Sequence, residues 1–110
     1  RVQRTQFRLQ HTAKASPNAQ TIKIADIIDN TRDIVDNDPD FAPIYLIEKK
    51  LQLRLLRHGD PLLWQQANKQ ITQAILRLSA PPFNIPSRWF RHRARQYLSD
   101  REAGTPPKQR

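Results

Sequence analysis

Every interruption of the helical spacing in this chain is marked by proline, and that regularity constrains its fold more than any other feature. Nine prolines stand against two glycines in 110 residues. They sit in "ASPNAQ" (15–20), "NDPDF" (37–41), "HGDP" (58–61) and "SAPPFNIP" (79–86), with Pro43 just after the second and a last pair at Pro106 and Pro107. Between these points apolar residues recur at three- and four-residue steps, the period of one buried helix face. The expected class is all-α, a helical bundle joined by short connections.

The punctuation fixes where each helix starts. Ser16 is placed to N-cap and Pro17 to occupy the first helical position, where a missing N–H costs nothing. A helix is expected over 16–37, with Ile24, Ile27, Ile28, Ile34 and Val35 as its stripe. Pro39 disfavours a helical Asp38. The next helix, 40–57, carries Phe41, Ile44, Tyr45, Ile47, Leu51 and Leu55, with Pro43 tolerated in its first turn. Gly59 is expected in a left-handed C-cap, Asp60 as the following N-cap and Pro61 as the opening residue of a helix over 61–78. There Trp64 heads a stripe through Ala67, Ile71, Ala74, Ile75 and Leu78, so Trp64 is expected to be largely buried. Residues 79–87 read as a Pro-rich linker, 88–101 as a basic amphipathic helix and 102–110 as a disordered tail. In residues 1–12, Val2, Phe7 and Leu9 are too sparse to define an element.

Composition narrows the chemistry. With no Cys there is no disulfide frame and no thiolate metal site, which fits a reducing compartment; the expected location is cytoplasmic. No apolar run approaches the roughly 18 residues of a membrane span, so no membrane partner is expected. The net charge of +9 is uneven. Residues 1–20 hold four basic groups and no acids, residues 21–76 seven basic and eight acidic, and residues 77–110 eight basic and two acidic. The two ends therefore invite polyanions, and the centre does not.

Two polar constellations stand out. Asp26, Asn30 and Asp33 fall at i, i+4 and i+7 on the first helix, with Asp29 beside them, roughly opposite the Ile stripe. They read either as a solvated acidic face or as a carboxylate ligand with neighbours turned to substrate. A single carboxylate does not hold a catalytic metal, and the histidines do not complete a set. His11 lies in the irregular start, His58 suits a helix C-terminus and His92 stands among arginines. No His-Glu-x-x-His, Gly-rich phosphate loop or Ser/His/Asp arrangement is present. The second constellation is Arg88, Trp89, Arg91, Arg93 and Arg95, with Phe90, Ala94, Tyr97 and Leu98. Arginines neutralise phosphates and aromatics stack on bases, so Arg88, Trp89, Arg91, Arg93 and Arg95 are candidates for nucleic-acid contact. The competing reading docks the aromatic face on the core and leaves the arginines solvated.

Residues 12–70, and above all the run from "SPNAQTIKIADIIDNTRDIVDNDPDF" through "EKK" to "GDP", resemble the C-terminal half of HD-domain metal-dependent phosphohydrolases. The nearest likeness is to the guanosine tetraphosphate hydrolase domains of Rel/SpoT proteins. Their late signature, Lys-x-Ala-Asp with Asn four residues on, is matched here by Lys23, Ala25, Asp26 and Asn30. The resemblance implies that Asp26 is a metal ligand, that Asn30 faces the nucleotide and that Thr31 and Lys23 flank the substrate. It implies a divalent cofactor, typically manganese, and a nucleotide phosphate or pyrophosphate as substrate.

Three of the four ligands of that family, a His and an adjacent His-Asp pair, have no counterpart in residues 1–20. The chain also opens on Arg1 and contains no Met. The expectation is that the N-terminal half of the domain lies elsewhere, that residues 1–78 form its C-terminal part, and that this chain alone neither binds manganese tightly nor catalyses hydrolysis. The alternative is a non-catalytic basic helical module that binds nucleic acid or a protein partner through its C-terminal helix.

Overall fold

In the computed structural model residues 14–103 are described, with side chains to residue 98. Among them every regular element is a helix: α1 (Pro17–Thr31), α2 (Ile34–Asn37), α3 (Ala42–Arg54), α4 (Pro61–Ser79) and α5 (Ser87–Ala103). The all-α expectation therefore holds. Residues 1–12 with His11, and most of the 102–110 tail, lie outside the described residues; Glu102 and Ala103 continue α5.

The start signals act as the sequence indicates. Ser16 Oγ accepts from the Ala19 amide at 3.2 Å, and Asp60 accepts from the Leu62 and Leu63 amides at 2.8 and 3.2 Å. Each cap satisfies amides that have no partner inside the helix, contributing about 1 kcal/mol.

The first helix ends earlier than its apolar spacing suggests. It stops at Thr31, and Asp33 (φ −117°, ψ 4°) leaves helical geometry before the short α2 begins. The reason lies in two separate hydrophobic clusters. Ile24, Ile27 and Ile28 enter one with Leu53, Leu56, Ala67 and Ile71. Val35 enters another with Leu46, Leu51, Leu78, Phe90 and Tyr97, and Ile34 packs against it. One straight helix does not reach both, so the chain turns between them.

Gly59 also departs from expectation. It does not take the left-handed conformation; it is small because α1 passes against it. A Cβ there would stand 2.6 Å from Ile24 Cδ1 and 3.2 Å from the Thr21 amide nitrogen. Ile24 is fully buried and the Thr21 contact is backbone, so neither yields readily. Around this contact the α1 side chains bind the turn. Gln20 Oε1 accepts from the His58 amide at 3.0 Å while its Nε2 donates to the Ala15 carbonyl, and Thr21 Oγ1 accepts from the Asp60 amide at 2.9 Å. Gln20 is buried to 1% exposure, which leaves its amide little alternative to these partners.

Trp64 packs against the cluster of Ile24, Ile27 and Ile28, with part of its ring left accessible. Its indole N–H donates to the Leu53 carbonyl at 2.8 Å near the end of α3, and the Arg57 guanidinium lies 4.2 Å from its ring centroid. The ring thus ties α4 to α3 at the edge of the core.

The segment 79–87 folds back as turns, with the Ile85 amide donating to the Leu78 carbonyl, and leads into α5, whose Phe90 and Tyr97 are buried against α3. Tyr97 is the largest fully buried side chain among the described residues. Its hydroxyl donates to Glu48 Oε2 at 2.8 Å and accepts from Arg93 Nε at 3.1 Å. Burial pushes the Tyr97 phenol up, and the bond to Glu48 adds to the rise against a smaller opposing effect of Arg93. A raised folded-state value means that this contribution is complete below the unfolded phenol value of about 10 and is lost as pH rises through the folded one. Tyr97→Phe is expected to cost about 1–2 kcal/mol in urea denaturation at neutral pH. It should also flatten the alkaline decline in stability. A variant with unchanged stability and the same alkaline decline would show that the hydroxyl bridge does not form.

Candidate functional site

The most unusual polar arrangement lies where the end of α1 meets the first turns of α3. Asp26 and Asn30 are exposed, one turn apart on α1, and Lys23 is exposed a turn before Asp26. Thr31, the last residue of α1, is buried to 4% exposure. Beside them stands Tyr45 of α3. Burial pushes its phenol up; Thr31 opposes that rise, the Asp26 carboxylate adds to it, and Asn30 opposes it more weakly. Four side chains from two helices therefore act on one another here.

The Tyr45 and Thr31 hydroxyls are both buried without a hydrogen-bond partner. Thr31 and Asn30 oppose the rise as hydrogen-bonding neighbours of the phenol, at geometry short of a full bond. Thr31 also lines a pocket of about 260 Å³ with Arg32, Gln70 and Arg77, and Gln70 Oε1 is likewise buried and unpaired. Arg77 is already held by Asp36 at 2.6 Å, which keeps the exposed Asp36 carboxyl below its ordinary value.

The acidic face is smaller than the i, i+4, i+7 spacing implies. Asp33 lies beyond the end of α1, and Asp29 is paired with Arg32 at 3.5 Å. Asp26 is left as the carboxylate beside Tyr45. Among the described residues no three His, Cys, Asp or Glu side chains come together in a group that could hold a metal ion. The described residues therefore do not fit a divalent metal on their own, and no chemical step is derived through one. His58 contributes its backbone amide to the Gln20 contact, and its side chain is exposed.

The arginines of α5 do not form one surface. Arg93 is turned inward to Tyr97. Arg91 lines an apolar groove of about 260 Å³ between α3, α4 and α5, together with Lys50 and Arg54. Arg88 and Arg95 line a third pocket with Trp89. No described helix is long and apolar enough to cross a membrane.

Tyr45 is the functional candidate that its place in the sequence hides. It sits in an apolar stripe and reads as core, and the only hint is a hydroxyl on a residue that packing alone would make Phe.

Comparison with protein-family models, curated proteins and solved structures finds no match to this chain.

Removing an unpaired buried hydroxyl relieves its desolvation. Thr31→Val and Tyr45→Phe should each leave stability within about 1 kcal/mol of wild type, or raise it. Urea denaturation of both variants provides the check, and a drop above about 2 kcal/mol would mean that these hydroxyls hold the fold together.

Proposed function

We propose that this chain is the C-terminal portion of an HD-type metal-dependent phosphohydrolase acting on a nucleotide phosphate or pyrophosphate. The observation that carries the reading is the placement of the exposed Asp26 and Asn30 one turn apart on α1, where its end packs Thr31 against Tyr45. The Lys23, Ala25, Asp26 and Asn30 signature supports it independently. In this reading Asp26 offers one carboxylate to a divalent ion, manganese by the family resemblance, whose other protein ligands come from outside residues 14–103. The Asn30 amide would orient the nucleotide, with Thr31 and Tyr45 packed behind it as positioning residues, and the exposed Lys23 would supply countercharge to its phosphates.

Titration of Mn²⁺ into the 110-residue chain, followed by paramagnetic broadening of amide resonances, tests the assignment. Weak binding is expected, with broadening centred on Asp26 and Asn30, and no detectable hydrolysis of guanosine tetraphosphate by this chain alone. Asp26→Asn should abolish the local broadening with the fold intact, while Asn30→Ala should leave it in place. Broadening spread evenly over the acids from Asp29 to Asp40, or unchanged in Asp26→Asn, would overturn the proposal.

A further inference from the structure

We propose that the outward face of α5 binds a single-stranded nucleic acid, with a base stacked on Trp89 and phosphates held by Arg88 and Arg95. This does not rest on the phosphohydrolase reading, since it involves a different helix and different residues. Pro86, Arg88, Trp89, His92 and Arg95 line one pocket of about 400 Å³. Arg88, His92 and Arg95 follow one another at i, i+4 and i+7, which places them along a single helix face. Neither arginine forms an ion pair among the described residues, and no carboxylate lines the pocket.

Trp89 is held in place for stacking. Its ring meets Phe90 edge to face, with centroids 5.1 Å apart at 86°, and Phe90 is buried in the core. The indole is itself only partly buried and lines the pocket. A rigid aromatic flanked by arginines suits bases that are already unstacked, which favours a single strand over a duplex. Arg88 and Arg95 are two turns apart, about 10 Å along the axis. Spread over two turns, these groups suit a strand that presents successive phosphates. The His92 imidazole between them can donate to a further phosphate or base oxygen. The other cations nearby serve other ends: Arg93 bonds to Tyr97, and Arg91 lies in the groove with Lys50 and Arg54.

Fluorescence anisotropy of end-labelled oligo(dT) and oligo(rU), each about 15 nucleotides, titrated with the full chain tests this. Saturable binding is expected, weakened about tenfold or more by Arg88→Gln combined with Arg95→Gln. The same double variant should lower the salt slope by about 0.7 for each phosphate it no longer neutralises. Both substitutions are at exposed positions and should leave the fold intact. Trp89→Leu should weaken binding by about tenfold, and oligonucleotide should quench Trp89 emission in a Trp64→Phe background. Lys50→Gln combined with Arg54→Gln removes the same charge elsewhere and should change affinity less than about threefold. Preference for one oligonucleotide identifies DNA or RNA as the source, and either supports the proposal. Equal weakening by the two double variants would reduce the effect to net charge and overturn it. So would tighter binding to a duplex of the same length, or Trp89 responding to phosphatidylglycerol vesicles while no oligonucleotide binds.

Discussion

The close approach of α1 to the turn before α4 is the contact on which the rest of the arrangement depends. Gln20 and Thr21 reach across 38 and 39 residues of sequence to bind the amides of His58 and Asp60. Gly59 lies between those two amides, at a point where a methyl group would collide with Ile24. Hydrogen bonds of this kind each contribute about 1 kcal/mol net, a modest sum. Their larger effect is geometric. They fix the height and roll of α1 against α4, so Ile24, Ile27 and Ile28 enter the cluster with Ala67 and Ile71. The same roll leaves Asp26 and Asn30 outside and brings Thr31 inward beside Tyr45.

Helix α3 then distributes the consequences. Tyr45 and Glu48 are one turn apart, and each serves a different neighbour. Tyr45 lies against the end of α1 with its hydroxyl unpaired, while Glu48 receives the Tyr97 hydroxyl and so anchors α5. The contrast is informative because both groups are polar and both are withdrawn from water. The Glu48–Tyr97–Arg93 chain is satisfied and reads as structure. The Tyr45–Thr31 pair is less well satisfied, and it lies at the end of α1 that carries Asp26 and Asn30. Anchoring α5 through Phe90 and Tyr97 also decides which of its arginines face solvent together, and Trp89 falls among those.

Local signals are legible in the sequence, and long-range ones are not. Ser16 and Asp60 cap as their positions indicate, because a cap depends on residues two or three places away. The α4 and α5 spans follow from proline placement and periodicity in the same way. The end of α1 at Thr31 is hidden because Ile34 and Val35 continue the helical period; only the existence of two clusters explains the turn. Gly59 misleads for a similar reason, since a glycine after a helix suggests a backbone conformation and here answers a neighbour. Trp64 packs against the core as its place in the apolar stripe implies, whereas the Leu53 carbonyl that receives its indole N–H is a long-range partner the stripe does not reveal. Of the candidate site, Asp26, Asn30 and Thr31 can be named from spacing and resemblance, whereas Tyr45 cannot, because its partner lies on another helix. The five α5 candidates look equivalent in sequence, and the Tyr97 hydroxyl is what separates Arg93 from the rest.

Hydrogen exchange at the His58 and Asp60 amides tests the α1 contact most directly. Both belong to exposed residues in a short interhelical turn, where amides ordinarily exchange within the fast, locally opening class. If Gln20 and Thr21 hold the turn as described, these two amides exchange only when the whole domain unfolds, as slowly as the Ile71 amide in the middle of α4. Exchange at the rate of an unprotected loop amide, with Ile71 still protected, would show that α1 is not fastened there, and the placement of Asp26, Asn30 and Thr31 around Tyr45 would lose its foundation.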